Sequence, residues 1–161
     1  MKKTVSSSGN VHLMYFKYDE NGWLISQYSD SHNVKITYEY DDSGRLIHET
    51  TTNSVTVDGC YDKTHDIETH YTYSDDGCIV KNIKMNYRTI IEQYDVGNRL
   101  SHTLDMYSDN CGSESTYSYD DDTKIMTTVI KYIVHGMVTM EDRYDTSLVD
   151  GSIISYTKNP Y

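Results

Sequence analysis

Alanine is absent from the 161 residues, and proline, phenylalanine and tryptophan occur once each. The missing alanine argues against helices, because it is the best helix former and helix surfaces normally use it. Apolar residues, with glycine counted and tyrosine left out, make up about 32% of the chain, against the usual ~45–50%. A thick aliphatic core is not expected. No run approaches the roughly 18 consecutive apolar residues of a membrane-spanning helix, so no membrane partner is expected. The opening MKKTVSSSGN turns polar where a secretory leader would carry about 7–15 apolar residues, and a cytoplasmic location is the expectation. Three cysteines, Cys60, Cys78 and Cys111, leave one unpaired in any disulfide scheme and are too few for a small disulfide-built fold. Basic residues are also scarce: 14 Lys and Arg stand against 25 Asp and Glu, for a formal charge of −11. Such a chain repels phosphate backbones and has no basic stripe to release counterions, which speaks against direct nucleic-acid binding.

What the chain does have is 17 tyrosines, together with many Thr, Val and Ile. These residues suit a pleated, half-buried surface and point to an all-β protein. The tyrosines also mark a repeat, and a repeat decides the fold. Tyr18, Tyr40, Tyr73, Tyr94, Tyr119 and Tyr144 head the segments FKYDENGWLI, YEYDDSGRLI, YTYSDDGCIV, EQYDVGNRLS, YSYDDDTKIM and a degenerate DRYDTSLVDG. The best copies read Y-x-Y-D-x-x-G-x-L-I. Each parses as a β-hairpin in which an Asp accepts backbone N–H groups two residues on. The Gly three later supplies the positive φ of a type I turn with a bulge. Asp19 with Gly22 and Asp41 with Gly44 fit this pattern; Ser74 replaces Asp in the third copy, and Asn98 takes the Gly place in the fourth. In the fifth copy Thr123, which is β-branched and disfavours positive φ, stands at that place, so a different turn over Asp120, Asp121 and Asp122 is predicted. Further turns are expected at Asp58-Gly59, His135-Gly136 and Asp150-Gly151. The whole of 1–161 then reads as one β-domain, a twisted or curled antiparallel meander of 10 to 13 strands, with Thr50 to Asp66 as an inserted loop.

The segment Tyr38 to Ile47 resembles the core of the YD repeat, also called the RHS repeat. The resemblance extends over most of Val11 to Asp145 and is strongest in the first two copies. It implies the hairpin-repeat fold. Long members of the family are surface and toxin-associated proteins whose repeats wind into a hollow β-shell, and carbohydrate binding has been proposed for the repeats. Six copies are too few to close a large shell, no autoproteolytic motif follows them, and no catalytic residue carries over.

Three constellations are candidates for chemistry. Residues two apart in a strand share a face, so Phe16/Tyr18, Tyr38/Tyr40, Tyr71/Tyr73 and Tyr117/Tyr119 are expected to form an aromatic ladder. The ladder reads as core, or as a stacking platform in which Tyr38, Tyr71, Tyr117 and the single Trp23 meet a sugar or a protein. The acidic pairs and triad Asp41-Asp42, Asp75-Asp76 and Asp120-Asp121-Asp122 read as turn caps, or as the contact surface for a basic partner; they lack the alternation of a calcium loop. Cys60, His65, His70 and Cys78, spaced C-x4-H-x4-H-x7-C, could supply two sulfurs and two nitrogens to zinc, although the spacing matches no standard module. With no nucleophile, metalloprotease or phosphate-loop motif present, neither an enzyme nor a cofactor is expected.

These observations lead to a non-enzymatic module that binds a basic, nucleic-acid-handling protein, as a toxin immunity protein or a phage-encoded anti-defence protein would. Two alternatives are a carbohydrate-binding or surface-associated module, and a structural fragment that self-assembles edge to edge.

Overall fold

A computed structural model describes residues 2–7, 10–29, 33–53, 56–57, 60–61 and 66–161. The expected Asp58-Gly59 turn lies outside the described residues. Among those described there is no helix. The strands are β1 (Lys2–Ser7), β2 (Asn10–Tyr18), β3 (Leu24–Ser29), β4 (Val34–Tyr40), β5 (Leu46–Asn53), β6 (Thr56–Val57), β7 (Cys60–Tyr61), β8 (Ile67–Tyr73), β9 (Ile79–Lys84), β10 (Arg88–Tyr94), β11 (Leu100–Tyr107), β12 (Gly112–Asp120), β13 (Ile125–Val134), β14 (Met137–Ser147) and β15 (Ile153–Pro160). Thirteen of them follow one another in a single sheet in chain order, from β1 to β15. The short pair β6 and β7 forms a ladder of its own within the stretch Thr50 to Asp66 expected as an insertion, but that stretch starts later than expected, because Thr50 to Asn53 continue the alternating run of β5 and pair with β4. The meander is thus all-β and antiparallel, as the tyrosine repeat and the lack of alanine indicate.

The chain divides into two compact units, residues 1–71 with 83–86, and residues 72–82 with 87–161. In the first unit, the strand pairs β2/β3 and β4/β5 are the first two repeat hairpins. Their turns close as the sequence suggests: the Asp19 N–H donates to the Trp23 carbonyl at 2.9 Å and the Gly22 N–H to the Asp19 carbonyl at 3.2 Å, and Asp41, Gly44 and Arg45 repeat the arrangement at 2.9 Å for both bonds. Gly22 and Gly44 stand at φ of 84° and 81°, where a Cβ would be strained. The register then skips one residue, because Lys17 opposes Ser26 while Tyr18 opposes Leu24, and Glu39 opposes His48 while Tyr40 opposes Leu46. The second apolar residue of each Leu-Ile pair, Ile25 or Ile47, is therefore the extra residue of a β-bulge.

In the second unit the same bulge recurs at Ser101 and Ile154. Asn98 takes the left-handed place at φ 58°. The fifth turn differs as expected: Asp120 accepts the Asp122 and Thr123 N–H groups at 3.0 and 3.1 Å, and positive φ passes one residue on, to Lys124. The sixth copy departs from its sequence reading. Leu148 stands where the turn glycine would be, so β14 runs on through Tyr144 and Asp145 to Ser147, and Gly151 at φ 73° makes the turn instead. One further turn of the repeat class went unmarked in the sequence. The Tyr107 N–H donates to the Cys111 carbonyl at 2.8 Å and the Asn110 N–H to the Tyr107 carbonyl at 3.1 Å, with Asn110 at φ 58°, although neither Tyr-Asp nor Gly is present.

No hydrophobic side chain is buried among the described residues; the buried ones are Thr69 in the first unit and Ser115, Thr128 and Asp142 in the second. The scarcity of aliphatic residues thus leaves half-covered tyrosines and β-branched residues, with hydroxyls meeting polar partners, to do what an apolar core does elsewhere.

Candidate binding site

Within each repeat turn the acids divide into two kinds. One carboxylate turns inward and caps. Asp19 Oδ1 accepts the N–H groups of Asn21 and Trp23 at 3.0 and 2.8 Å, Asp41 Oδ1 those of Ser43 and Arg45 at 2.9 Å each, and Asp95 Oδ1 those of Gly97 and Arg99 at 2.9 Å each. In the third copy the role moves to Asp76, which takes the Ser74 hydroxyl and, at 3.3 Å, the Cys78 N–H. Hydrogen bonds to the charged form hold a carboxyl below its usual range. The Arg45 N–H and guanidinium do so for Asp41, the Ser74 hydroxyl and Cys78 N–H for Asp76, the Arg99 N–H and guanidinium for Asp95, and the Thr123 hydroxyl and N–H for Asp120. The other kind stands exposed at the turn tip: Glu20 and Asp42 in the first unit, Asp75, Asp121 and Asp122 in the second. Of the sequence-marked acids, Asp41, Asp76 and Asp120 are therefore caps, while Asp42, Asp75, Asp121 and Asp122 are the tips. Among the described residues no three acids, histidines or cysteines converge as a metal site would need.

Two of the repeat tyrosines, Tyr40 and Tyr119, bond to the preceding hairpin, while the hydroxyls of Tyr94 and Tyr144 donate to Glu92 and Asp142 on their own strands. The Tyr40 hydroxyl donates to the Leu24 carbonyl at 2.9 Å, and the Tyr119 hydroxyl to the Leu100 carbonyl at 2.8 Å. The residue just after the preceding turn covers the ring: Trp23 lies 5.4 Å from Tyr40 between ring centroids, and the Arg99 guanidinium 4.7 Å from the Tyr119 centroid. Burial raises both phenols above their ordinary value. Arg99 also pairs with Asp95 of its own turn at 3.1 Å and Asp121 of the next at 2.9 Å. The contact that joins these hairpins is thus hydroxyl on carbonyl under a covering side chain, a ring at Tyr40 and a guanidinium at Tyr119. Trp23 is a packing residue on Tyr40 and above Gly44, whose Cβ position would lie 2.8 Å from Trp23 Cζ2. Tyr38, Tyr71 and Tyr117 are half-buried.

The zinc candidates are not seen together. Cys60 lies in β7, its side chain undescribed, and His65 falls outside the described residues. His70 stacks on His48, the two rings 4.3 Å apart and 9° from parallel. Ring lone pairs lie in the ring plane, so two parallel stacked imidazoles do not aim them at one ion. Cys78 is a free thiol beside its turn, raised above its ordinary value by burial and by Asp76.

Two clusters in the second unit were not marked in the sequence. The Tyr132 and Tyr144 hydroxyls donate to Asp142 Oδ2 at 3.3 and 3.4 Å and the Tyr156 hydroxyl to Oδ1 at 3.3 Å, around a residue only 4% exposed. Nearby in sequence, Asp145 accepts the Thr127 and Ser155 hydroxyls at 2.6 Å each and lines a shallow concavity of about 350 Å³ with Tyr119, Asp120 and Arg143. The only sequence signal for either was the period-two placement of Asp142 and Tyr144.

Capped turns recur along the chain, and at Tyr40 and Tyr119 a tyrosine hydroxyl joins one hairpin to the preceding one. Residues 18–56 match the family model of the RHS repeat. The matched residues run from the last residue of β2 through the first turn, β3 and the second hairpin to β6. No curated protein matches the chain. An RHS repeat marks a repeat module of the surface or binding type.

Proposed function

We propose that the chain is a non-enzymatic, cytoplasmic protein-binding module whose RHS-type turns present acid to a basic, nucleic-acid-handling partner, in the manner of a toxin immunity protein or a phage-encoded anti-defence protein. The observation that carries this reading is the division of labour within the turns. Capping needs one carboxylate per turn, yet Asp42, Asp75 and Asp122 are additional and exposed, while Asp121 is held by Arg99. Surplus charge at the tip of a rigid turn is placed to meet a partner before anything else on the hairpin does. A chain of −11 is also steered towards a positive surface, raising the association rate. The covered Tyr40 and Tyr119 rings support the core role of the repeat tyrosines over a sugar platform.

The test is purification of the tagged chain from its host at low and high salt, beside a variant with Asp42, Asp75 and Asp122 all changed to Asn and the capping acids and Asp121 kept. A stoichiometric basic protein that is released by salt and absent from the variant is the expected result. Recovery of the chain alone, or of a partner indifferent to both salt and the tips, overturns the reading.

A further inference from the structure

The contact that joins β3 to β4 and β11 to β12 has an acceptor of the same kind on the outer strand of the second unit. Successive carbonyls of an extended chain point to opposite sides. At the start of β3 the Trp23 carbonyl turns inward to the Asp19 N–H, so the Leu24 carbonyl turns outward, where Tyr40 of the next hairpin takes it. Arg99, Leu100 and Tyr119 repeat this at the start of β11. β15 begins the same way: the Ser152 carbonyl turns inward to the Ser147 N–H at 2.9 Å, the register skips at Ile154, and the Ile153 carbonyl turns outward. No hydroxyl among the described residues takes it.

The rest of the strand continues the pattern. The Tyr161 N–H donates to the Thr139 carbonyl at 3.1 Å, which fixes Asn159, Thr157 and Ser155 as the residues bonded to β14 and turns the backbone groups of Tyr156 and Lys158 outward. Pro160, the one proline of the chain, falls in the outward set, where a missing N–H breaks no bond to β14. β15 is exposed along its length. It holds no acidic residue and one lysine, so an acidic repeat strand meets no like charge there.

We propose that the outer edge of β15 accepts the first strand of a further Y-x-Y-D hairpin, whose tyrosine hydroxyl binds the Ile153 carbonyl and whose backbone extends the ladder along Tyr156 and Lys158. The occupant is a repeat strand because the edge offers the same outward carbonyl and bulge that receive β4 and β12 within the chain. This surface is separate from the acidic tips and stands or falls without them.

The test uses a fluorescein-labelled peptide of residues 34–47, VKITYEYDDSGRLI, titrated by anisotropy with the full chain. Saturable binding is expected, weakened about tenfold by Lys158→Pro, which removes an outward N–H and keeps the bonds to β14. A peptide carrying Tyr40→Phe should bind several-fold more weakly, through loss of a single hydroxyl, and this comparison decides the matter even if Lys158→Pro does not fold. Binding that is absent, or unchanged by both changes, overturns the proposal. So does concentration-dependent self-association abolished by Lys158→Pro without peptide binding, which would put a second copy of the chain at the edge.

Discussion

Gly22 and Gly44 have nearly the same backbone and different surroundings. Both sit at φ above 80°, but a Cβ on Gly22 meets nothing within 4 Å, whereas one on Gly44 meets the Trp23 ring. Gly22→Ala should cost about 1–2 kcal/mol, the strain of a left-handed L-residue. Gly44→Ala should cost more and displace the ring. Because Trp23 is the one tryptophan, its emission reports the difference directly: a shifted spectrum is expected for Gly44→Ala and an unchanged one for Gly22→Ala. The tyrosine hydroxyls allow a second test at this scale. Tyr119→Phe leaves the ring under Arg99 and removes the bond to the Leu100 carbonyl, for an expected loss of roughly 0.5–1.5 kcal/mol in urea unfolding.

The hairpin is the element that carries the pH dependence. Asp95 is held below its ordinary value of 3.8, chiefly by the Arg99 N–H and then by its guanidinium. A carboxyl depressed in the folded state contributes stability that is present above the unfolded value and is lost as pH falls through the folded one. Asp95→Asn keeps an oxygen for the turn and removes the charge. The melting temperature of the variant should lie below that of the parent at neutral pH, and the gap should close as the pH is taken below 3.8. Comparing the two chains cancels the change in overall repulsion that acid brings to both. A gap that persists undiminished in acid would show that the charge of Asp95 does not hold its turn.

For the whole molecule, the lack of a buried hydrophobic side chain among the described residues sets the thermodynamics of unfolding. Exposure of apolar surface is what raises the heat capacity, and polar exposure lowers it. Scanning calorimetry should therefore return a heat-capacity change per residue below the ~12–15 cal/mol/K common to globular proteins. A value inside that range would mean that tyrosine rings and β-branched residues together exclude as much water as an aliphatic core.

The strand order, the turns, the bulges and the left-handed Asn98 were legible in the sequence because each depends on a few adjacent residues: a capping acid, a Gly or Asn, an alternating run. The same local logic located the aberrant fifth turn, but it began the inserted stretch too early, since Thr50 to Asn53 pair within β5. It failed at the sixth copy, where Leu148 in place of glycine lets β14 continue, and at Tyr107 to Cys111, where a turn of the repeat class forms without its signature. What Tyr132, Tyr144 and Tyr156 do lay beyond it altogether. Their hydroxyls meet on Asp142 only because β13, β14 and β15 pair in one register, and a register slip of one residue would send every side chain to the other face. The division of the acids into caps and tips was likewise settled by three-dimensional geometry, since Asp75 and Asp76 are identical in type and adjacent, and only the path of the turn decides which oxygen reaches the Cys78 N–H. Composition and spacing determined that this chain is a meander of Tyr-Asp hairpins; the pairing of strands distant in sequence decided which tyrosine hydroxyls meet on one carboxylate, and the path of each turn decided which acids cap it.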